Sequence, residues 1–124
     1  MPQLRQLVIG AEDPGRLAAF YQEVFELEKI EEAKGAVFLS DGAFNLALVP
    51  ETEPHKQGLK HLSFETVRVE SLGKKLVQAG AQESELVQVD AITGVEFELR
   101  DPDGNTVGVC RRAFDVAYEQ RPVP

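Results

Sequence analysis

Tryptophan is absent from this chain of 124 residues, which has one cysteine, one methionine and two histidines. The lone Cys110 has no partner for an internal disulfide, so nothing points to an oxidising compartment. No run of about 18 consecutive apolar residues occurs, which argues against a membrane-spanning helix. The opening Met1-Pro2-Gln3-Leu4-Arg5 lacks the apolar stretch of a secretory signal, so the expected location is the cytoplasm. Basic residues are also few: 13 against 21 acidic ones, for a net charge of −8. The longest basic clusters, Lys74-Lys75 and Arg111-Arg112, are too short for the concentrated basic face that nucleic acid demands. The acidic surplus serves solubility.

What is present is an ordinary globular composition, 43% hydrophobic and 27% charged, in a length that suits one domain with its own core. Residues 6–11 are β-branched and apolar enough for a strand. Asp13 and Pro14 then form a helix entry, Asp13 as the cap and Pro14 at the position that needs no amide donor. Leu17, Phe20, Tyr21, Val24 and Phe25 recur at helical spacing over 14–26. Strands are expected at 36–39 and 44–49 around the turn Asp41-Gly42, with an edge strand between 27 and 32.

Residues 50–58 are polar, carry two prolines and read as a linker. A strand at 59–66 follows, then a helical stripe of Val69, Leu72, Leu76 and Val77 that Gly80 stops. Further strands are expected at 85–89, 95–100 and 106–111. Asp101-Pro102-Asp103-Gly104-Asn105 forms the last turn, and the tail beyond 112 is expected to be loose. The order is β-α-β-β-β, linker, β-α-β-β-β. Leu4-Arg5-Gln6-Leu7 matches Leu59-Lys60-His61-Leu62, and the two Asp-Gly hairpins correspond. The chain thus divides into module one (3–49), linker (50–58), module two (59–112) and tail (113–124).

Three segments carry a resemblance: Ala19-Phe20-Tyr21 ending the first helix, Gly58-Leu59-Lys60-His61-Leu62-Ser63-Phe64, and Leu99-Arg100-Asp101-Pro102-Asp103-Gly104-Asn105. With them the chain resembles the vicinal-oxygen-chelate superfamily of glyoxalase I, extradiol dioxygenases, fosfomycin-resistance enzymes and bleomycin-resistance proteins. The resemblance implies an α+β fold of two βαβββ modules in a half-open, mostly antiparallel β-barrel, with helices outside and a cavity within. It also implies a homodimer, with the pocket inside one chain or at the subunit boundary.

Many members bind a divalent metal through four strand positions, which fall here on Gln6, His61, Gly108 and the neighbourhood of Ala47, with Asn45 two residues earlier. Only His61 is a good ligand, so the metal site is read as lost and no cofactor is expected, a divalent ion at His61 being the weak alternative. Strand alternation places Gln6, Val8 and Gly10, His61, Ser63 and Glu65, and Thr106, Gly108 and Cys110 on the cavity face. Leu62 and Phe64 then pack under the helix.

His61 has three readings: a neutral lining group bonded to Gln6, a general base, or a metal ligand with help. Glu65 is either its acid/base partner or a solvated residue near the mouth. Cys110 is a space-filling thiol rather than a nucleophile. Glu96 and Glu98 face either solvent or the pocket wall, and His55 is exposed. The ligand-binding candidates are therefore Gln6, Val8, Asn45, His61, Ser63 and Cys110, and the catalytic ones His61 and Glu65. Two functions follow. One is a small-molecule binding protein of the bleomycin-resistance type. The other is a glyoxalase- or dioxygenase-type enzyme using His61 with a non-standard metal site or as a base.

Overall fold

Two βαβββ halves follow one another along the chain. The computed structural model describes residues 2–83, 95 and 97–111. The expected strand at 85–89, the residue Glu96 and the tail 113–124 lie outside the described residues.

The first half comprises β1 (Gln3–Ala11), α1 (Pro14–Phe25), β2 (Glu28–Ala33), β3 (Ala36–Ser40) and β4 (Asn45–Pro50). Asp13 caps α1 as its composition dictates, its carboxylate accepting from the Arg16 amide at 3.1 Å while Pro14 occupies the first turn. The turn from β3 to β4 is held by Asp41, whose Oδ1 accepts the amides of Ala43 and Phe44 at 2.9 and 2.7 Å.

The second half comprises β5 (Gly58–Glu65), α2 (Val69–Gln78), β6 (Gln82–Glu83), β7 (Phe97–Arg100) and β8 (Thr106–Cys110). Its last turn repeats the device. Asp101 Oδ1 accepts the amides of Asp103 and Asn105 at 3.0 and 2.8 Å, and Gly104 takes a φ of +91° that a side chain would oppose. The Asn105 side chain and these amides hold the Asp101 carboxyl below its ordinary value.

Three expectations need adjustment. The linker is shorter than 50–58, because Pro50 still belongs to β4, Gly58 already belongs to β5, and Pro54–Lys56 makes a 3-10 turn. The strand expected at 95–100 begins at Phe97. The apolar stripe of α1 is only partly used: Leu17, Ala18 and Tyr21 pack on the sheet, whereas Phe20, Val24 and Phe25 remain 51%, 55% and 59% exposed. Small Ala18 lets the helix settle on one narrow line, which leaves the flanking aromatic rings against each other.

The eight strands form one sheet in the order β2-β3-β4-β1-β5-β8-β7-β6. Within each half, the first strand runs parallel to the last (β1 with β4, β5 with β8), and the remaining pairs are antiparallel. The halves meet where β1 and β5 pair antiparallel, so strand order reads alike outward from that seam. The resemblance implies a half-open barrel; among the described residues the sheet is open, with β2 and β6 as its outer strands. No described helix is long and apolar enough to cross a membrane.

Both helices cover one face. Under α1 lie Val37, Leu39 and Leu48, and Gly73 of α2 sits against the Phe97 ring so closely that an added Cβ would meet its Cζ at 3.2 Å. Leu62 and Phe64 point to this side by alternation but are only half-buried. Val8, Ala36, Phe38 and Ala47 form a separate cluster on the opposite face.

Candidate functional site

The face opposite the helices carries polar side chains where an apolar core is the ordinary expectation. Cross-strand pairing puts Ser40 beside Asn45, Asn45 beside Gln6, Gln6 beside Ser63, Ser63 beside Gly108, and Gly108 beside Glu98. Because paired residues share a face, this is one row running across six strands. Gln6 and Ser63 are fully buried, Asn45 is 1% exposed and Ser40 is 3% exposed. The neighbouring row contains Phe38, Ala47, Val8 and His61. The floor is therefore apolar on the first half's side and carries an imidazole on the second half's side.

Asn45 is the most unusual member. Among the described residues neither its Nδ2 nor its Oδ1 has a hydrogen-bond partner, and both atoms are inaccessible to solvent. Leaving such a group buried and unpaired costs roughly 1–3 kcal/mol. In native proteins such a group is ordinarily accounted for by stored strain, a functional role, or a bound water or ion. Ser40 beside it is already engaged, its hydroxyl donating to the Phe44 carbonyl at 3.2 Å and accepting the Gly42 amide at 2.9 Å.

His61 is 8% exposed and held from two sides. Nδ1 lies 3.2 Å from the Ser63 hydroxyl, and Nε2 lies 3.7 Å from Glu98 Oε1. The pairing sets Val8 opposite His61 and Gln6 opposite Ser63, a stagger that departs from the expected direct Gln6–His61 juxtaposition. A β-bulge between Val8 and Ile9 follows that point.

For two carboxylates the sequence leaves alternatives open. Glu98 shares the face of His61, its side chain 24% exposed. Glu65 is buried at 8% exposure rather than solvated, and its carboxylate lies 4.0 Å from Arg5 Nε. It lines a separate cavity of about 560 Å³ with Gln3, Arg68, Lys75 and Arg111. Cys110 is fully buried, its thiol donating to the Phe64 carbonyl at 3.4 Å, as a space-filling side chain would. His55 is exposed in the 3-10 turn.

The superfamily's metal positions can be tested against this geometry. Register now fixes Ala47 as the counterpart of Gly108, since Val8 pairs with Ala47 as Ser63 pairs with Gly108. Ala47 is packed in the apolar cluster with Val8 and Phe38. A Cβ at Gly108 would meet Val95 Cγ2 at 3.0 Å, Ser63 Oγ at 3.1 Å and His61 Nδ1 at 3.2 Å. No side-chain donor comes from either position, and a divalent ion needs three or four. Among the described residues no three His, Cys, Asp or Glu side chains converge. At the superfamily's four metal positions His61 is, among the described residues, the one good donor, which falls short of that metal's set.

The family model for a glyoxalase-like domain matches residues 6–110. The chain belongs to this family, and so to the vicinal-oxygen-chelate superfamily. Several solved structures are similar to this glyoxalase-like domain. Methylmalonyl-CoA epimerase from Mycobacterium tuberculosis matches with a TM-score of 0.72 at 12% identity, over 93% of this chain and 91% of that one. A glyoxalase/bleomycin resistance protein/dioxygenase superfamily member from Vibrio splendidus matches at 0.62 and 19% identity, over 89% and 98%. Homoprotocatechuate 2,3-dioxygenase from Brevibacterium fuscum, in complex with 3,4-dihydroxyphenylacetate, matches at 0.71 and 16% identity, over 97% of this chain but 41% of that one. At such identities the likeness establishes the fold of the glyoxalase-like domain. No curated protein matches its sequence.

Proposed function

We propose that this glyoxalase-like domain binds a small molecule on the polar face of its sheet, without the superfamily's metal ion. In this reading the face is the inside of a half-open barrel, and the protein works as a cytoplasmic homodimer. The supporting observation is the buried row Asn45, Gln6 and Ser63, flanked by the apolar patch of Val8, Ala47 and Phe38. A few directed polar groups beside an apolar wall are what a ligand pocket requires. The test is a thermal-denaturation screen against small-molecule libraries, run with and without Mn, Fe, Ni and Zn salts. A ligand confined to the native state raises the melting temperature whether or not metal is present. A stoichiometric, tightly held metal ion would overturn the reading.

A second reading, a glyoxalase- or dioxygenase-type enzyme, is favoured by one contact, the 3.7 Å approach of Glu98 to His61 Nε2. A carboxylate beside an imidazole fixes its orientation, as a general base needs. Turnover of a 2-oxoaldehyde conjugate or a catechol, lost in His61→Gln and reduced in Glu98→Gln, would establish it.

A further inference from the structure

We infer that a second pocket, at the end of the sheet where β5 and β8 stop, binds an organic phosphate monoester through Arg68, Lys75 and Arg111. The inference is independent of the reading of the polar face, since none of Ser40, Asn45, Gln6 and Ser63 lines this pocket. Between the start of β1, the end of β5 and α2 the chain leaves a cavity of about 560 Å³. That volume far exceeds a bare phosphate and matches the size of small-molecule pockets. Arg68, Ser71, Leu72 and Lys75 line it at the i, i+3, i+4, i+7 spacing of one helix face. The two cations therefore stand about 10 Å apart along α2 and its cap.

Arg111 leaves β8 beside them. Its Nη1 donates to the Val67 carbonyl at 3.2 Å and its Nη2 to Glu70 Oε1 at 2.9 Å, which lays the guanidinium across the entry to α2. Neither Arg68 nor Lys75 has an ion-pair partner among the described residues. Glu65 is the one carboxylate among the described lining residues, and Arg5 Nε lies 4.0 Å from it. A chain of net charge −8 thus gathers three cations on one cavity, which selects an anionic guest. A carboxylate brings a single charge and two oxygens, and Glu70 already supplies these to Arg111. A phosphate monoester brings nearly two charges and three terminal oxygens, enough for two guanidinium forks and an ammonium. Val67 and Leu72 offer apolar surface to its organic part.

The experiment titrates the full chain with glycerol 3-phosphate, inorganic phosphate, lactate and glycerol, followed by calorimetry and by NMR of the backbone amides. Glycerol 3-phosphate should bind about tenfold or more tightly than lactate, and glycerol should not bind. Inorganic phosphate should bind more weakly than the ester. Shifts should fall on 67–72, 75 and 111 and leave Gln6 and Asn45 unmoved. Arg68 and Lys75 are exposed, so the fold survives their replacement. The double variant Arg68→Gln, Lys75→Gln should weaken the ester about tenfold or more. Glu70→Gln should tighten it, because a competing carboxylate leaves Arg111. Lactate binding as tightly as the ester, or no loss in the double variant, overturns the phosphate assignment. Inorganic phosphate as tight as the ester overturns the organic guest, and an unchanged Glu70→Gln overturns the part given to Arg111. Shifts on Gln6 and Asn45 instead overturn the location. If no probe binds, this pocket falls and the reading of the polar face stands.

Discussion

At the scale of single residues, Asn45 is a place where a buried polar side chain works against stability. Its two polar atoms, without a hydrogen-bond partner among the described residues, are a liability, and leucine of similar size removes both. Asn45→Leu should therefore raise the unfolding free energy by about 1–3 kcal/mol, read as a higher denaturant midpoint at unchanged slope. A lower midpoint would mean that the amide has a structural role. Gly108 offers the converse case. Gly108→Glu adds a carboxylate at one of the four strand positions where a metal ligand would fall, yet its Cβ begins against Val95, Ser63 and His61. The expected outcome is destabilisation of about 1–3 kcal/mol, from crowding, with no Mn or Ni retained on equilibrium dialysis. Much of this floor was legible in the sequence, because a strand has a strict period of two: Gln6, Val8, His61 and Ser63 follow from parity alone. Glu98 was not legible. Alternation in 95–100 fixes which residues share a face but not which face meets the helix, and only its pairing with Gly108 decides that.

At the scale of elements, caps and turns were the most readable features, since their chemistry is local. Asp13→Ala should cost about 1 kcal/mol through loss of the bond to the Arg16 amide. The turn before β8 should be acid-sensitive. Asp101 has its carboxyl held below its ordinary value, so its contribution is present at neutral pH and is lost as pH falls through that lowered value. Asp101→Ala should therefore remove part of the stability decline that the native chain shows below about pH 4. Equal acid sensitivity in the two proteins, measured by urea melts across pH 2–6, would contradict this. The helical stripe was less readable. Spacing marks Phe20, Val24 and Phe25 as apolar neighbours of Leu17 and Tyr21, but it cannot say how wide a strip the sheet accepts. The contact at Ala18 narrows that strip.

At the scale of the molecule, the duplicated order of elements was visible from matched segments, while the way the halves join was not. Joining is a non-local event: β1 must lie parallel to β4 and antiparallel to β5 at once, and no short pattern encodes that. The consequence is a sheet with a strong centre and a weak rim. At the centre, β1 and β5 each pair on both sides, and their inward side chains are buried. At the rim, β2 reads Glu-Lys-Ile-Glu-Glu-Ala, mostly exposed and charged, the composition that keeps an edge strand from pairing with another chain. Native-state hydrogen exchange should then separate the two. Amides of 6–9 and 60–64 that bond within the sheet should exchange only with global unfolding, at the free energy found by denaturant melts. Those of β2 should open locally at a much smaller free energy. Exchange at the β1–β5 seam as fast as at β2 would mean that the halves open as separate units. The buried polar row could not then hold a fixed geometry, because Gln6 and Ser63 come from opposite sides of that seam.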